Sequence, residues 1–449
     1  MDPHQVKIKL VTRDQDQALH VAPNPLYVPV SLKRYGLSEI LNHLLETESP
    51  VPFEFIIDGT ILKGSLNDYL TSNGLSSEAF LTLEYTRAVL PPKFLASFSN
   101  EDWISSIDSI GTMTNEGTVT SPKILSGSYD GIVRIYNMQG KVETQLMGHQ
   151  QPVKAVKFLT PARFLSAGMD RVIRLWKAGA ISDEDLDKDT QNGRTIALLD
   201  YHQSTVSSLA VNLATSRILS GSYDNTVALW STKPKEMTSS DPVDTGNDGN
   251  LSSASRKRLK LAIKDSTIKR KNPLAVLESH RQPVEGVIFD PKDSTVGYSV
   301  SQDHTIKTWD LVTARCVDSK QTSYPLLSIA SLEKLGLLAT GSSARHINLH
   351  DPRSSKITNT QLIGHTNFVC SLVAPSENEY TLLSGSHDGT VKVWDVRADR
   401  AVYTISRESG KSKSKVFAVD WEKEIGIISG GEDKEVQINE SNLQDLASR

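Results

Sequence analysis

A serine, a histidine and two aspartates lie close together in LLSGSHDGTVKVWD, residues 382–395. In hydrolases these residue types form a catalytic triad, in which the histidine takes a proton from the nucleophilic serine. The same groups can also hydrogen-bond one another inside a fold, because buried polar atoms need partners. Recurrence separates the two interpretations, since an active site is normally built once and a structural device can be repeated.

The polar set occurs four times. Each copy has a histidine, a serine, an aspartate and a tryptophan, and the copies are His149, Ser166, Asp170, Trp176; His202, Ser220, Asp224, Trp230; His280, Ser299, Asp303, Trp309; and His365, Ser384, Asp388, Trp394. This repetition favours a structural role over catalysis. The four histidines would also lie in separate sheets, which argues against a shared metal site.

The segments around each set read as a strand, a tight turn and a second strand, as in ILSGSYDGIVRIY (124–136). The turn residues are Asp130, Asp170, Asp224, Asp303, Ala344, Asp388 and Asp433, separated by 40, 54, 79, 41, 44 and 45 residues. A period of about 40–45 residues indicates WD repeats. We therefore predict a mostly β fold, with a seven-bladed WD-repeat β-propeller over residues 91–449.

The likeness to WD-repeat proteins implies that the four side chains bond in series, from aspartate to histidine to serine to the tryptophan indole. Removing one member should cost about 1–3 kcal/mol. The first and seventh repeats lack the upstream histidine, and the fifth has Ala344 and His350 in place of the aspartate and tryptophan. The last repeat also ends too early to supply its outer strand, so we predict that residues 93–99 close blade seven.

Residues 1–90 contain no copy of the repeat. Their pattern is strand (6–12), strand (26–32), helix (36–46, with Ser38 as N-cap), strand (52–59), short helical turn (65–74) and strand (80–85). This order resembles a small α+β ubiquitin-like (β-grasp) domain. The chain continues past it without a terminal Gly-Gly, so we expect a docking domain and not a conjugated modifier.

Three stretches sharpen the likeness: SLKRYGLSEILNHLL (31–45), GLSSEAFLTLEYTRAVLPP (74–92) and SFSNEDWISSI (97–107). They resemble the WD-repeat ribosome-biogenesis factor of the PeBoW complex, the partner of pescadillo and of a Bop-type WD-repeat protein. The resemblance implies a non-enzymatic scaffold in large ribosomal subunit assembly, acting in pre-rRNA processing and pre-ribosome maturation in the nucleolus and nucleoplasm. A notchless-type protein and a ubiquitin-pathway adaptor with a WD propeller are the alternatives.

In that family the propeller binds the Bop-type partner, and the ubiquitin-like domain binds midasin, a giant AAA ATPase that removes assembly factors from the particle. Midasin's metal-ion-dependent adhesion site holds Mg²⁺, which prefers oxygen ligands, and a carboxylate of the client completes the shell. Glu78 matches the family's metal-contacting glutamate. Glu84 and Asp58 are rivals, and a solvated loop glutamate is the alternative interpretation of Glu78.

Residues 231–273 form the largest insertion and read as a flexible basic segment. Residues 233–273 contain ten Lys or Arg and five Asp or Glu, in a chain whose net charge is -4. Its basic residues suggest a nuclear import signal or, alternatively, an RNA-phosphate contact: Arg256, Lys257, Arg258, Lys260, Lys269, Arg270 and Lys271.

Composition and the absence of certain motifs limit the classes of protein to which this chain could belong. Two cysteines and no C-x-x-C pair fit a reducing compartment. No apolar run reaches the roughly 20 residues of a membrane helix, and the first residues show no secretory signal. There is no P-loop, G-x-S-x-G elbow or metal-ligand cluster, so we expect no enzyme, no cofactor, no small-molecule substrate and no membrane partner.

Overall fold

A computed structural model describes residues 5–13, 19–47, 50–76, 78, 80–88, 91–115, 118–178, 193–240, 268–354, 360–375, 378–398, 400–409 and 412–440. The chain divides into two compact units chiefly between Pro91 and Pro92, and the segment Trp394–Tyr403 groups with the first unit. Within the described residues, no helix is both long enough and apolar enough to cross a membrane.

The smaller unit is a mixed sheet packed on a helix. Its elements are β1 (Gln5–Val11), β2 (Leu26–Pro29), α1 (Arg34–Leu45), β3 (Phe53–Ile57), β4 (Thr60–Ile61), α2 (Leu66–Ser72) and β5 (Phe80–Arg87). The sheet order is β2-β1-β5-β3-β4, with β5 central and parallel to β1. The alternating apolar residues of β1 and β5 face α1, and Ile8, Leu41 and Leu83 are fully buried. This confirms the ubiquitin-like fold.

The predicted N-cap of α1 is wrong. The helix begins at Arg34, and its N-cap position is Lys33. Ser38 lies inside the helix, where its Oγ donates to Phe53 O and accepts from Phe53 N, both at 3.2 Å. The hydroxyl therefore joins the helix to β3 and does not cap the first turn. The other helix has a capping box between Ser65 and Asp68.

The larger unit is almost entirely β. In chain order its strands are β6 (Lys93–Ser99), β7 (Ile104–Ile110), β8 (Met113–Asn115), β9 (Thr118–Thr120), β10 (Lys123–Ser128), β11 (Ile132–Asn137), β12 (Val142–Met147), β13 (Val153–Thr160), β14 (Arg163–Gly168), β15 (Val172–Ala178), β16 (Gly193–Asp200), β17 (Val206–Asn212), β18 (Arg217–Ser222), β19 (Thr226–Ser231), β20 (Ser239–Ser240), β21 (Arg270–Lys271), β22 (Ala275–Glu278), β23 (Val284–Phe289), β24 (Val296–Ser301), β25 (Thr305–Asp310), β26 (Arg315–Gln321), β27 (Leu326–Leu332), β28 (Leu337–Ser342), β29 (His346–His350), β30 (Thr360–Ile363), β31 (Val369–Val373), β32 (Thr381–Ser386), β33 (Thr390–Asp395), β34 (Tyr403–Ser406), β35 (Glu408–Ser409), β36 (Ser412–Lys413), β37 (Val416–Glu422), β38 (Gly426–Gly431) and β39 (Glu435–Glu440).

These strands form the sheets of a WD-repeat propeller. In the described part of the larger unit, seven sheets have four or more strands: β12-β11-β10-β7, β13-β14-β15-β16-β21-β20, β17-β18-β19-β22, β23-β24-β25-β26, β27-β28-β29-β30, β31-β32-β33-β34 and β37-β38-β39-β6. Their first strands contact one another in sequence, β7, β13, β17, β23, β27, β31, β37 and again β7. The arrangement is consistent with seven blades. Strand β6 pairs with β39, which is the pairing expected of residues 93–99.

Apolar faces of neighbouring blades pack against each other. One cluster joins Leu165 and Ile173 of the second blade to Ile218 and Trp230 of the third. A single four-stranded sheet could not bury both faces, so radial packing supplies the missing cover.

The residue after each turn aspartate, or after Ala344, has a positive φ, and these residues are Gly131, Arg171, Asn225, His304, Arg345, Gly389 and Lys434. The turn geometry thus persists in the fifth repeat although its aspartate is missing. The segment 231–273, predicted to be a flexible basic insertion, contains short strands at both described ends. Strands β20 and β21 pair with each other, and β21 pairs with β16, so backbone hydrogen bonds order both ends of the insertion.

Candidate functional site

The third blade shows the repeated polar set in full. His202 Nδ1 lies 2.9 Å from Asp224 Oδ2, and its Nε2 lies 2.8 Å from Ser220 Oγ. Trp230 Nε1 donates to the same serine oxygen at 2.9 Å. Since the indole can only donate, the serine accepts from it and can donate its own proton to a neutral His202. The histidine then donates from Nδ1 to the aspartate, so every group has a partner.

Other blades repeat this geometry. In the second blade, His149 lies 2.8 Å from Asp170 and 2.6 Å from Ser166, and Trp176 donates to Ser166 at 2.7 Å. In the fourth blade, His280 lies 2.9 Å from Asp303 and 2.6 Å from Ser299, and Trp309 donates to Ser299 at 2.7 Å. In the sixth blade, His365 lies 2.8 Å from Asp388 and 2.7 Å from Ser384, and Trp394 is fully buried. The four serines are fully buried and the four histidines are at most 8% exposed.

In the four complete sets, interactions with neighbouring groups keep the pKa of the turn aspartate low. Burial alone would raise the pKa of Asp303, but hydrogen bonds from Thr305, the Arg281 amide and His280 outweigh it and lower the pKa to about 2. Burial would also raise the pKa values of Asp170, Asp224 and Asp388, but they are lowered, chiefly by hydrogen bonding at Asp224 and Asp388 and chiefly by the electrostatic interaction with His149 at Asp170. Burial also lowers the pKa of His280, which favours its neutral form.

Two arginines occupy the repeats that lack the upstream histidine. Arg134 pairs with Asp130 at 2.7 Å in the first blade, and Arg407 pairs with Asp433 at 2.7 Å in the seventh. Sequence reasoning missed both residues. The available signal was a turn aspartate without its histidine, because such a carboxylate still needs a buried partner.

Glu78 lies in the turn between α2 and the central strand β5 of the smaller unit, and it is exposed. The loop leaves α2 through Gly74, whose φ of 64° favours glycine. Leu75 N bonds back to Leu70 O at 2.9 Å, which fixes the start of the loop. Among the described residues, none forms a hydrogen bond or ion pair with the Glu78 carboxylate.

The two rival carboxylates are already engaged. Glu84 has a side chain that is only 15% exposed, and it pairs with Arg13 at 3.3 Å. Asp58 is exposed but accepts a hydrogen bond from Tyr69 Oη at 3.2 Å. Of the three candidates, Glu78 is thus the one whose oxygens project without a described partner. Within the described residues, no cluster of histidine, cysteine, aspartate or glutamate could hold a metal ion by itself.

The basic candidates divide into two groups. Arg256, Lys257, Arg258 and Lys260 lie outside the described residues. Lys271 is buried, and its Nζ donates to Met237 O at 3.0 Å and to Ser239 Oγ at 2.9 Å. Arg270 pairs with Asp200 at 2.6 Å. These two side chains therefore make contacts within the second blade. Lys269 directly precedes them in the sequence.

Comparison with known proteins agrees with the two-part organisation. Residues 6–70 match the NLE (NUC135) domain, and residues 140–177, 193–231, 271–310 and 356–395 match the WD domain, G-beta repeat.

Full-length relatives are also found. The chain is 58% identical over 457 residues to ribosome biogenesis protein YTM1 of Candida albicans, which covers 98% of this chain and 97% of the relative. It is 58% identical over 464 residues to the Scheffersomyces stipitis protein of the same name, with 98% of each chain covered. The Saccharomyces cerevisiae protein is 56% identical over 464 residues, again with 98% of each covered.

Proposed function

The chain belongs to the YTM1 family of ribosome biogenesis proteins, and from this premise we propose that it is a non-enzymatic scaffold of the large ribosomal subunit precursor. In this proposal the propeller binds a Bop-type WD-repeat protein, and it binds pescadillo either directly or through that partner. The smaller unit offers Glu78 to Mg²⁺ held by midasin, so that the ATPase can pull the factor from the particle. The site of action is the nucleolus and nucleoplasm.

One observation carries the midasin part of the proposal: Glu78 is an exposed carboxylate next to the central strand of a packed sheet. Phe80, two residues later, pairs with Lys7 of β1. An anchored loop has little conformational entropy to lose on binding. Mg²⁺ keeps near-octahedral oxygen coordination, and one protein carboxylate at an open position is enough to complete it.

The repeated polar sets support the scaffold part. Their histidines and serines are buried in separate blades and hydrogen-bonded within them. Such buried hydrogen bonds would stabilise the blades of a protein on which an ATPase exerts force. The basic residues 256–260 are proposed to act in nuclear import.

The test is binding of the full-length chain to the isolated adhesion domain of midasin, with Mg²⁺ and with excess EDTA. We expect Glu78→Ala and Glu78→Gln to lower affinity at least tenfold, and Asp58→Asn, which neutralises a second exposed carboxylate but keeps an acceptor for Tyr69 and tolerates the φ of 48° at this position, to bind as wild type. All three should keep the wild-type melting temperature and binding to the Bop-type partner. Wild-type affinity of Glu78→Ala, or binding unaffected by EDTA, would contradict the assignment.

A further inference from the structure

The sheet of the smaller unit carries two exposed aromatic side chains on either side of a lysine. Lys7 of β1 is the register partner of Tyr27 in β2 and of Phe80 in β5. Its Nζ lies 5.9 Å from the centroid of the Tyr27 ring and 5.6 Å from the centroid of the Phe80 ring. These three residues, named here the aromatic–lysine row, therefore form a continuous stripe across three neighbouring strands.

Strand alternation places the row on the face of the sheet opposite α1. Ile8, which follows Lys7, is fully buried, and Leu81, which follows Phe80, is 4% exposed. In contrast, Tyr27 is 67% exposed and Phe80 is 52% exposed. The two rings thus contribute little to the core of the unit, and neighbouring exposed apolar groups of this kind mark interaction sites.

The row lies at the end of the sheet where Glu78 is found. Strands β1 and β5 run parallel, and Lys7 is level with Phe80, the first residue of β5. Glu78 precedes Phe80 by two residues, in the turn that leads into this strand. Two residues span at most about 7 Å of chain. A protein that contacts the Glu78 carboxylate therefore comes within reach of the row.

Cations predominate on the same face. Lys7 and Lys9 point to it from β1, and among the described residues neither ammonium has a carboxylate partner. Glu84 is the one acidic residue of β1, β2 and β5, and it pairs with Arg13 at 3.3 Å. The exposed Glu78 carboxylate is thus accompanied by an excess of positive charge.

A protein site that holds Mg²⁺ accounts for this combination of charges. Such a site is built from oxygen ligands that include carboxylates, and these would repel an approaching glutamate. Lys7 and Lys9 offset that repulsion, because complementary charges across an interface favour association. The two rings add apolar contact area of the kind that is enriched at the centres of protein interfaces.

Nucleic acid fits the face less well. Binding to phosphates depends on neutralisation by several cations, whereas this face offers two lysines, and Glu78 next to them would repel a phosphate backbone. Bases bind aromatic residues by stacking on the ring faces, but the Lys7 ammonium already lies over both rings. The observations therefore favour an acidic protein surface over RNA.

We propose that the aromatic–lysine row is a second contact for the protein that binds Glu78. Tyr27 and Phe80 pack against apolar surface beside the metal site of that protein, and Lys7 and Lys9 face the carboxylates around the metal. This second contact rests on the proposed binding of Glu78 to midasin, and it adds a surface that does not touch the Mg²⁺ ion.

The test compares association and dissociation rates of the full-length chain on the isolated adhesion domain of midasin, with Mg²⁺, at about 50 and about 300 mM salt. Tyr27→Ala should raise the dissociation rate about fivefold or more and leave association unchanged, since lost contacts act mainly on dissociation. The double variant Lys7→Gln, Lys9→Gln should slow association about threefold or more at the lower salt. The effect should shrink at the higher salt, because screening weakens electrostatic attraction.

Tyr35→Ala is the matched control. Tyr35 is 75% exposed but lies on α1 and outside the row, so this variant should bind with wild-type rates. Phe80→Ala tests the ring contact a second time and should dissociate faster, as Tyr27→Ala does. Wild-type melting temperatures verify that each variant is folded.

Glu78→Ala, measured in parallel, separates the row from the function on which it rests. If Glu78→Ala binds weakly while Tyr27→Ala and Phe80→Ala keep wild-type rates, the row is not a contact, and the proposed function stands without it. If Glu78→Ala binds as wild type, the metal contact fails and the second contact fails with it. Capture of poly(U) RNA by the wild type and its loss in Tyr27→Ala would also overturn the proposal, because the row would then bind nucleic acid.

Discussion

Arg407 donates from Nε to Asp433 Oδ2 at 2.8 Å in the seventh blade. The same guanidinium donates from Nη1 to Ser429 Oγ at 2.9 Å and from Nη2 to Glu435 O at 2.7 Å. Asp433 and Ser429 hold the turn and strand positions that a histidine joins in four other blades. One arginine thus replaces the histidine and brings a permanent charge into the blade.

Arg407→Ala should destabilise the propeller strongly. The substitution would leave the Asp433 carboxylate, whose side chain is 10% exposed, without its countercharge, and breaking a buried pair from one side costs about 3–5 kcal/mol. Urea denaturation followed by tryptophan fluorescence measures the loss. Arg315→Ala, which removes an exposed arginine, is the control, and equal stability of the two variants would show that the Arg407 contacts contribute nothing.

Ser220 and Trp230 should be energetically coupled. Ser220→Ala removes the acceptor of the indole N–H and a partner of His202, so we expect a loss of about 1–3 kcal/mol. Once the serine is gone, Trp230→Phe also removes the unpaired N–H, and the double variant should lose less than the two single losses together. A double-mutant cycle in urea measures this, and simple additivity would argue against bonding in series.

Hydroxyl groups on first strands also tie neighbouring blades together. Ser105 donates to Val153 O at 2.6 Å, and Ser207 donates to Val284 O at 2.5 Å. At the corresponding place in the sixth blade, the Cys370 thiol donates to Val416 O at 3.0 Å. Burial raises the pKa of Cys370 to about 12, so the sulfur keeps the proton that it donates.

Cys370→Ser should therefore leave stability within about 0.5 kcal/mol of wild type, whereas Cys370→Ala should lose about 1 kcal/mol with the bond. The melting temperatures of the two variants provide the comparison. A serine variant no more stable than the alanine variant would show that the thiol acts only by filling space.

His350 should make the fifth blade sensitive to acid. It stands where other blades have tryptophan, and its Nε2 lies 3.0 Å from Thr340 Oγ1. Burial, with the charge of Lys320, lowers its pKa to about 4. Because the folded pKa lies below the ordinary value of about 6.5, the contribution is complete above pH 6.5 and is lost as the pH falls towards 4.

In His350→Gln the melting temperature should consequently fall less between pH 7 and 5 than in the wild type. Part of the fall should remain, because burial also lowers the pKa of His280. The difference amounts to on the order of 2–3 kcal/mol at the acid end. His43→Gln, on the exposed face of α1, is the control. If the wild type and His350→Gln lose stability in parallel over this range, His350 does not carry the effect.

Repetition made much of this fold predictable. The spacing of Asp130 to Asp433 gave the repeats, and alternation in β1 and β5 gave the strands of the smaller unit. The start of α1 was predicted wrongly because the sequence does not distinguish a serine that bonds across to Phe53 from an N-cap serine. Arg407 was missed because its partners are brought close only by folding. The exposure of Glu78 depends on loop packing, which the residue pattern does not contain.

Strand β6 should be essential to closing the propeller through Phe98. This ring is 9% exposed and stacks on Tyr136 of the first blade at 5.8 Å, while its backbone pairs with Val436 of the seventh. Removing a buried phenylalanine costs about 3–5 kcal/mol, so Phe98→Ala should lower the melting temperature markedly. Phe94, on the same strand but 64% exposed, is the matched control.

A chain beginning at Pro92 should stay folded and monomeric, whereas one beginning at Asn100 should expose the edge of β39 and aggregate. Monomeric, thermally unchanged protein in the second case would show that the seventh blade does not need β6.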